Sequence, residues 1–252
     1  LELASFDGLW WLILLAGPLI FLQRRLHFEV QAIYLLFTRR ADIAMVLFAL
    51  TFFPGVLLHE SSHYLMAWLL RVDTGRFSLI PRPLPDGRLQ LGYVETADTD
   101  WVRDALIGAA PLLAGSAFVA YAGLARLGLA SLLPAIQGGP GALVEVLAAL
   151  PARQDFWLWF YLTLTVSATM FPSDSDRRAW LPLGLMVALG VALALLGGAG
   201  PWMLATFGSA LNQALRAAAG ILGISLVVQG ILLPPLFGLR RLLSRALNLQ
   251  VQ

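Results

Sequence analysis

Residues 42–70 read Asp-Ile-Ala-Met-Val-Leu-Phe-Ala-Leu-Thr-Phe-Phe-Pro-Gly-Val-Leu-Leu-His-Glu-Ser-Ser-His-Tyr-Leu-Met-Ala-Trp-Leu-Leu. The run is apolar and long enough to cross a bilayer, which takes about 20 residues. Inside it lies His59-Glu60-Ser61-Ser62-His63, an H-E-x-x-H motif holding two of the three histidines in the chain. On a helix, residues four apart share one face, ~5–6 Å from one another. Two imidazoles so placed can grip a metal, and Glu60 can reach a water beside it. Ionisable groups at membrane depth are costly, ~2.5–3.5 kcal/mol each at least, and such residues mark function.

The rest of the chain has the same character. It is 59% hydrophobic and 13% charged, against about 25% charged residues in a soluble domain. The expectation is a single membrane domain over residues 1–252, all-α and polytopic. Apolar runs at 8–22, 42–70, 104–127, 155–171, 180–198 and 217–239 predict about six transmembrane helices. Residues 8–22 are expected to be a retained span, because no basic region precedes them and Arg24-Arg25 follow. Residues 23–40 mix apolar and charged side chains and predict an interfacial amphipathic segment, with His27 at the headgroup boundary. Residues 202–215 are expected to be interfacial or re-entrant. Between the second and third spans, 72–103 is polar. Phe77–Ile80 and Arg88–Val94 have strand character around a Pro85-Asp86-Gly87 turn, which predicts a small β hairpin or sheet insert. Gly108 to Gly115 is rich in small residues that permit close helix packing.

The chain has no cysteine, so any zinc site must use nitrogen and oxygen donors. All 17 basic residues are arginine and the formal net charge is +2. No basic run resembles a nucleic-acid motif, and no nucleic-acid partner is expected. A catalytic zinc needs a third protein ligand. The best region is Phe171-Pro172-Ser173-Asp174-Ser175-Asp176, after the fourth span, where either Asp174 or Asp176 can serve. The same serine and aspartate residues can also cap the fifth helix. With six spans, the 72–103 insert, the 173–179 loop and the C-terminal tail share one side. That side carries ten of the 17 arginines, which places it in the cytoplasm by the positive-inside rule.

These features together resemble the site-2 protease family of intramembrane zinc metalloproteases. The resemblance rests on the membrane-embedded His59-Glu60-x-x-His63, the β-like segment after it, the Gly108–Gly115 stretch, and Pro172 to Asp176, and it covers 42–200. The family's later motif runs Asn-x-x-Pro and then Asp-Gly after a short link. Here Thr169 stands at the Asn position and Arg177 at the Gly position, and the link is one residue shorter. The resemblance implies one Zn²⁺ per chain held by His59, His63 and Asp176, with Asp174 the alternative, and Glu60 as general base. It implies hydrolysis of peptide bonds in or near transmembrane segments of membrane-protein substrates, at a multi-pass protein of the cell inner membrane whose site faces the cytoplasm. The rival expectations are an inactive binder of the same fold and a proton or metal transporter using the same side chains.

Overall fold

The computed structural model describes residues 7–83 and 89–249. The Pro85-Asp86-Gly87 turn lies outside the described residues. Eight α-helices are present among the described residues: α1 (Asp7–Thr38), α2 (Ala41–Leu69), α3 (Trp101–Tyr121), α4 (Leu132–Gln137), α5 (Pro140–Ala149), α6 (Phe156–Thr169), α7 (Trp180–Leu196) and α8 (Gly200–Leu247). Four stretches among them, α1, α2, α3 with its π-helical extension to Arg126, and α8, are long and apolar enough to cross a membrane. The chain is therefore a membrane protein.

Two expectations change here. Residues 8–22 and 23–38 form one helix, not a span followed by a separate interfacial segment. Glu29, one of the charges that suggested a boundary, is fully buried and paired with Arg25 and Arg240. Likewise 202–215 and 217–239 are parts of one 48-residue helix, roughly 72 Å long at 1.5 Å per residue. That is more than twice the ~30 Å hydrocarbon thickness.

The insert after α2 is a long antiparallel hairpin in two short ladders. β1 (Thr74–Ser78) pairs with β4 (Tyr93–Thr96), placing Phe77 opposite Val94. Nearer the tip, β2 (Arg82–Pro83) pairs with β3 (Leu89–Gln90). Leu91 and Gly92 belong to neither ladder.

Side-chain contacts set the direction of each helix. Tyr161 reaches Thr51, His59 reaches Thr169, and a Cβ on Gly55 would meet Thr165, so α2 and α6 run parallel. Phe118 lies by Trp159 and Gly115 by Met170, so α3 is antiparallel to α6. Gly8 meets Asn212, Leu15 meets Gly223, Leu22 meets Gly230 and Glu29 meets Arg240, so α1 and α8 run parallel over most of α1. Phe48, Phe52 and Val56 of α2 join Leu26 and Val30 of α1 and Phe160 and Leu164 of α6 in the main core. In lipid such packing, rather than escape from water, holds helices together.

The parallel α1–α8 pair is incompatible with six alternating spans, in which first and last must oppose. The discrepancy falls on α7. Trp180 donates to the Ala105 carbonyl, while Leu183 and Met186 lie beside Thr99 to Val102. From its first residue α7 thus runs outward past the start of α3, not back along it. The alternating directions of α1, α2, α3, α6 and α8 then put the C-terminal tail at the end opposite the 173–178 loop. Arg240, Arg241 and Arg245 move with it, and the arginine excess no longer favours the end that carries the loop. The chain has no native cysteine, so single Ser175→Cys and Ala246→Cys variants are expected to react with an impermeant maleimide from opposite faces. Labelling of both from one face would overturn this order.

Candidate metal centre

His59 and His63 lie one turn apart on α2, and each ring is aimed by a backbone carbonyl from a different helix. His59 Nδ1–H donates to the Thr169 carbonyl at 2.7 Å, and His63 Nδ1–H donates to the Ile107 carbonyl at 2.8 Å. A carbonyl only accepts, so each ring carries its proton on Nδ1 and, when neutral, a lone pair on Nε2. The two Nε2 atoms face one another at 3.2 Å. Gly55 makes the first of these bonds reachable: a Cβ there would sit 2.3 Å from the Thr165 carbonyl oxygen, so only glycine lets α6 come this close.

Asp176 completes the group. Its Oδ1 is 3.4 Å from His63 Nε2 and its Oδ2 is 3.7 Å from His59 Nε2. The chain leaves α6 at Thr169, passes Pro172 and returns under the histidines. The Ser173 N–H donates to Asp176 Oδ2 at 2.6 Å, and the Asp176 N–H donates to Ser173 Oγ at 3.3 Å. Burial works against ionisation of Asp176. The facing His59 and His63 rings and the Ser173 N–H outweigh it and hold the carboxyl well below its ordinary range. Asp176 is thus present as the anion, the form that binds a cation. Asp174 also lines the cavity but lies outside the donor group, pairing with Arg177 at 2.5 Å with its side chain 64% exposed.

The first turns of α3 carry much of this arrangement. Asp100 caps the helix by accepting from the Val102 and Arg103 N–H groups. Asp104 takes a two-pronged bond from Arg178 at 2.8 and 2.8 Å, Ala105 accepts from Trp180, and Ile107 aims His63. A Cβ on Gly108 would lie 1.9 Å from the Asp176 carbonyl oxygen, so the loop sits directly on bare backbone. One stretch of helix, Asp104 to Gly108, therefore positions two donors that come from different elements.

The donor set fits a metal ion. Two imidazole lone pairs and a carboxylate all lie within 4.8 Å of one another, and no hydrogen is left to place between them. Metal bonds of ~2.0–2.1 Å in a tetrahedron set ligand atoms ~3.3 Å apart; the two Nε2 atoms are 3.2 Å apart, and each faces a different oxygen of Asp176, at 3.4 and 3.7 Å. The Nδ1–carbonyl bonds are the outer contacts that fix tautomer and ring direction in metal-binding histidines.

Glu60 is 7% exposed and lines the same cavity, about 700 Å³ in volume. No hydrogen bond ties its carboxylate to another described residue. The hairpin presses on it at Gly92, where a Cβ would come 2.8 Å from Glu60 Cγ. Residues Leu89 to Thr96 line one side of the cavity, and Gln23 and His27 of α1 line it as well. His27 is therefore not at a headgroup boundary. It sits within the bundle, its ring edge-on to Phe48 and Phe52 at centroid distances of 5.4 and 5.0 Å. Sequence reasoning missed Gln23 and His27 as cavity residues, although their i, i+4 spacing places them on one helix face. Gln23 donates to the Ala168 carbonyl at 2.6 Å, tying α1 to the end of α6.

No family model, curated protein or solved structure matches this chain.

Proposed function

We propose that this chain is an intramembrane zinc metalloprotease that hydrolyses peptide bonds in or near transmembrane segments of other membrane proteins. The observation that carries the reading is the convergence of His59, His63, Asp176 and Glu60 on one cavity within an apolar helix bundle. Two imidazoles and one carboxylate, with no thiolate, are the donor set of hydrolytic zinc sites. Zinc held there would supply Lewis acidity, which acidifies water and polarises a carbonyl.

The protein's own groups account for the remaining chemistry. Glu60 accepts the proton of the attacking water as its oxygen bonds to the scissile carbonyl carbon. It then returns that proton to the amide nitrogen as the C–N bond breaks. With no hydrogen bond to another described residue, Glu60 is available for both transfers. A helical substrate hides its carbonyls in its own hydrogen bonds, so it must be extended at the cut. Leu91 and Gly92, outside both ladders and against Glu60, offer backbone for strand addition.

Metal removal tests the reading. The purified full chain, mixed with a panel of single-span membrane-protein substrates, is expected to cleave at least one. Dialysis against a zinc chelator should abolish cleavage, and added zinc should restore it. Cleavage that persists after chelation, or a zinc-loaded chain that cuts none of the panel, overturns the proposal. The second result favours an inactive binder.

A further inference from the structure

A second charged cluster lies away from the metal centre, where α1 packs on α8. Glu29 is fully buried, and each of its oxygens faces a guanidinium. Arg240 Nε donates to Oε2 at 2.5 Å, and Arg25 Nη2 lies 2.7 Å from Oε1. Two phenylalanines complete a box. The Arg25 guanidinium lies 5.0 Å from the Phe28 ring centre and 5.7 Å from that of Phe237. Arg240 spans the same rings at 5.6 and 5.4 Å, and Arg241 lies over Phe237 at 4.8 Å.

The charges do not balance. Three guanidinium groups gather about one aromatic ring, and Glu29 is the one carboxylate paired with any of them among the described residues. No acidic residue occurs anywhere in α8, so its own helix offers no compensation. A guanidinium stacked on a ring keeps its N–H edge free, and that planar edge matches phosphate oxygens two at a time. Arg25 is 36% exposed at its side chain and Arg241 is exposed, so both side chains are reachable from outside the bundle. Leu239 and Leu242 flank the arginine pair and are 41% and 65% exposed. Cations beside bare apolar surface suit an amphiphile better than a free anion.

We propose that Arg25, Arg240 and Arg241 form a binding site for the phosphate of a phospholipid headgroup, with its acyl chains along the exposed leucines of α8. A headgroup without a compensating cation is preferred, so phosphatidylglycerol binds better than phosphatidylcholine. The inference is independent of the protease reading.

The test titrates the full chain in neutral detergent with phosphatidylglycerol, phosphatidylcholine or inorganic phosphate and counts bound lipid by native mass spectrometry. Phosphatidylglycerol is expected to be retained in preference to phosphatidylcholine. Arg241→Gln should weaken its binding about fivefold, and Arg25→Gln with Arg241→Gln about 25-fold, as attraction to an anionic headgroup of roughly fivefold per arginine requires. Arg241→Gln leaves both pairs to Glu29 intact, so a folding defect does not account for its effect. Arg76→Gln, in β1, should bind as the unaltered chain does. Equal retention of the two lipids, an unaffected Arg241→Gln variant, or full displacement of the lipid by millimolar inorganic phosphate overturns the proposal.

Discussion

Replacing Glu60 by glutamine is expected to lower peptide hydrolysis by about 10²–10⁴-fold, the range a positioned general base contributes, and to leave zinc bound. The substitution keeps shape and packing against Gly92 while removing the proton acceptor. It touches none of the three donors, whose mutual separations are set by Thr169, Ile107 and Ser173. Zinc content by elemental analysis and cleavage of a single-span substrate are measured on the same preparation. A Glu60→Gln protein that cuts at the unaltered rate removes Glu60 from the chemistry. One that has lost its zinc makes Glu60 a structural support instead.

The second large effect separates the two loop aspartates. Asp176→Ala is expected to weaken zinc binding by more than about 100-fold, beyond the upper end of what loss of an outer-shell partner costs. It removes the single anion from a site with two neutral donors. Asp174→Ala should change affinity by no more than a few-fold, because Asp174 lies outside the donor group, and its exposed ion pair with Arg177 is of a kind worth ~0–1 kcal/mol. Competition against a calibrated chelator reads both variants. Equal losses, or a larger loss for Asp174→Ala, would show that the loop is arranged differently around the metal.

Much of this site is legible in the chain because its donors are side chains with strong signatures. His59 and His63 announce themselves by spacing, and Pro172 followed by acidic residues marks where a third donor enters. What cannot be read is equally physical. The partners that aim the rings are the carbonyls of Thr169 and Ile107, and every residue has a carbonyl. The fit of Gly55 and Gly108 against other backbones is a property of two helices, not of one segment. Arg24, Arg25 and Glu29 look like a membrane boundary when read locally. The second partner that keeps Glu29 inside the bundle is Arg240, 211 positions away. The direction of α8 is hidden for a similar reason: lipid-facing apolar surface carries no mark of which way a helix runs.

The stretch from Asp104 to Gly108 has a mechanical consequence. His63 and Asp176 both rest on α3, whereas His59 is referenced to α6. A small rocking of α3 would turn the His63 ring and shift the Asp176 loop together, while the His59 ring stays held by α6. Opening the site would then need no unfolding, only slippage between neighbouring rods, and the grip on the ion would report the angle at which the bilayer holds them.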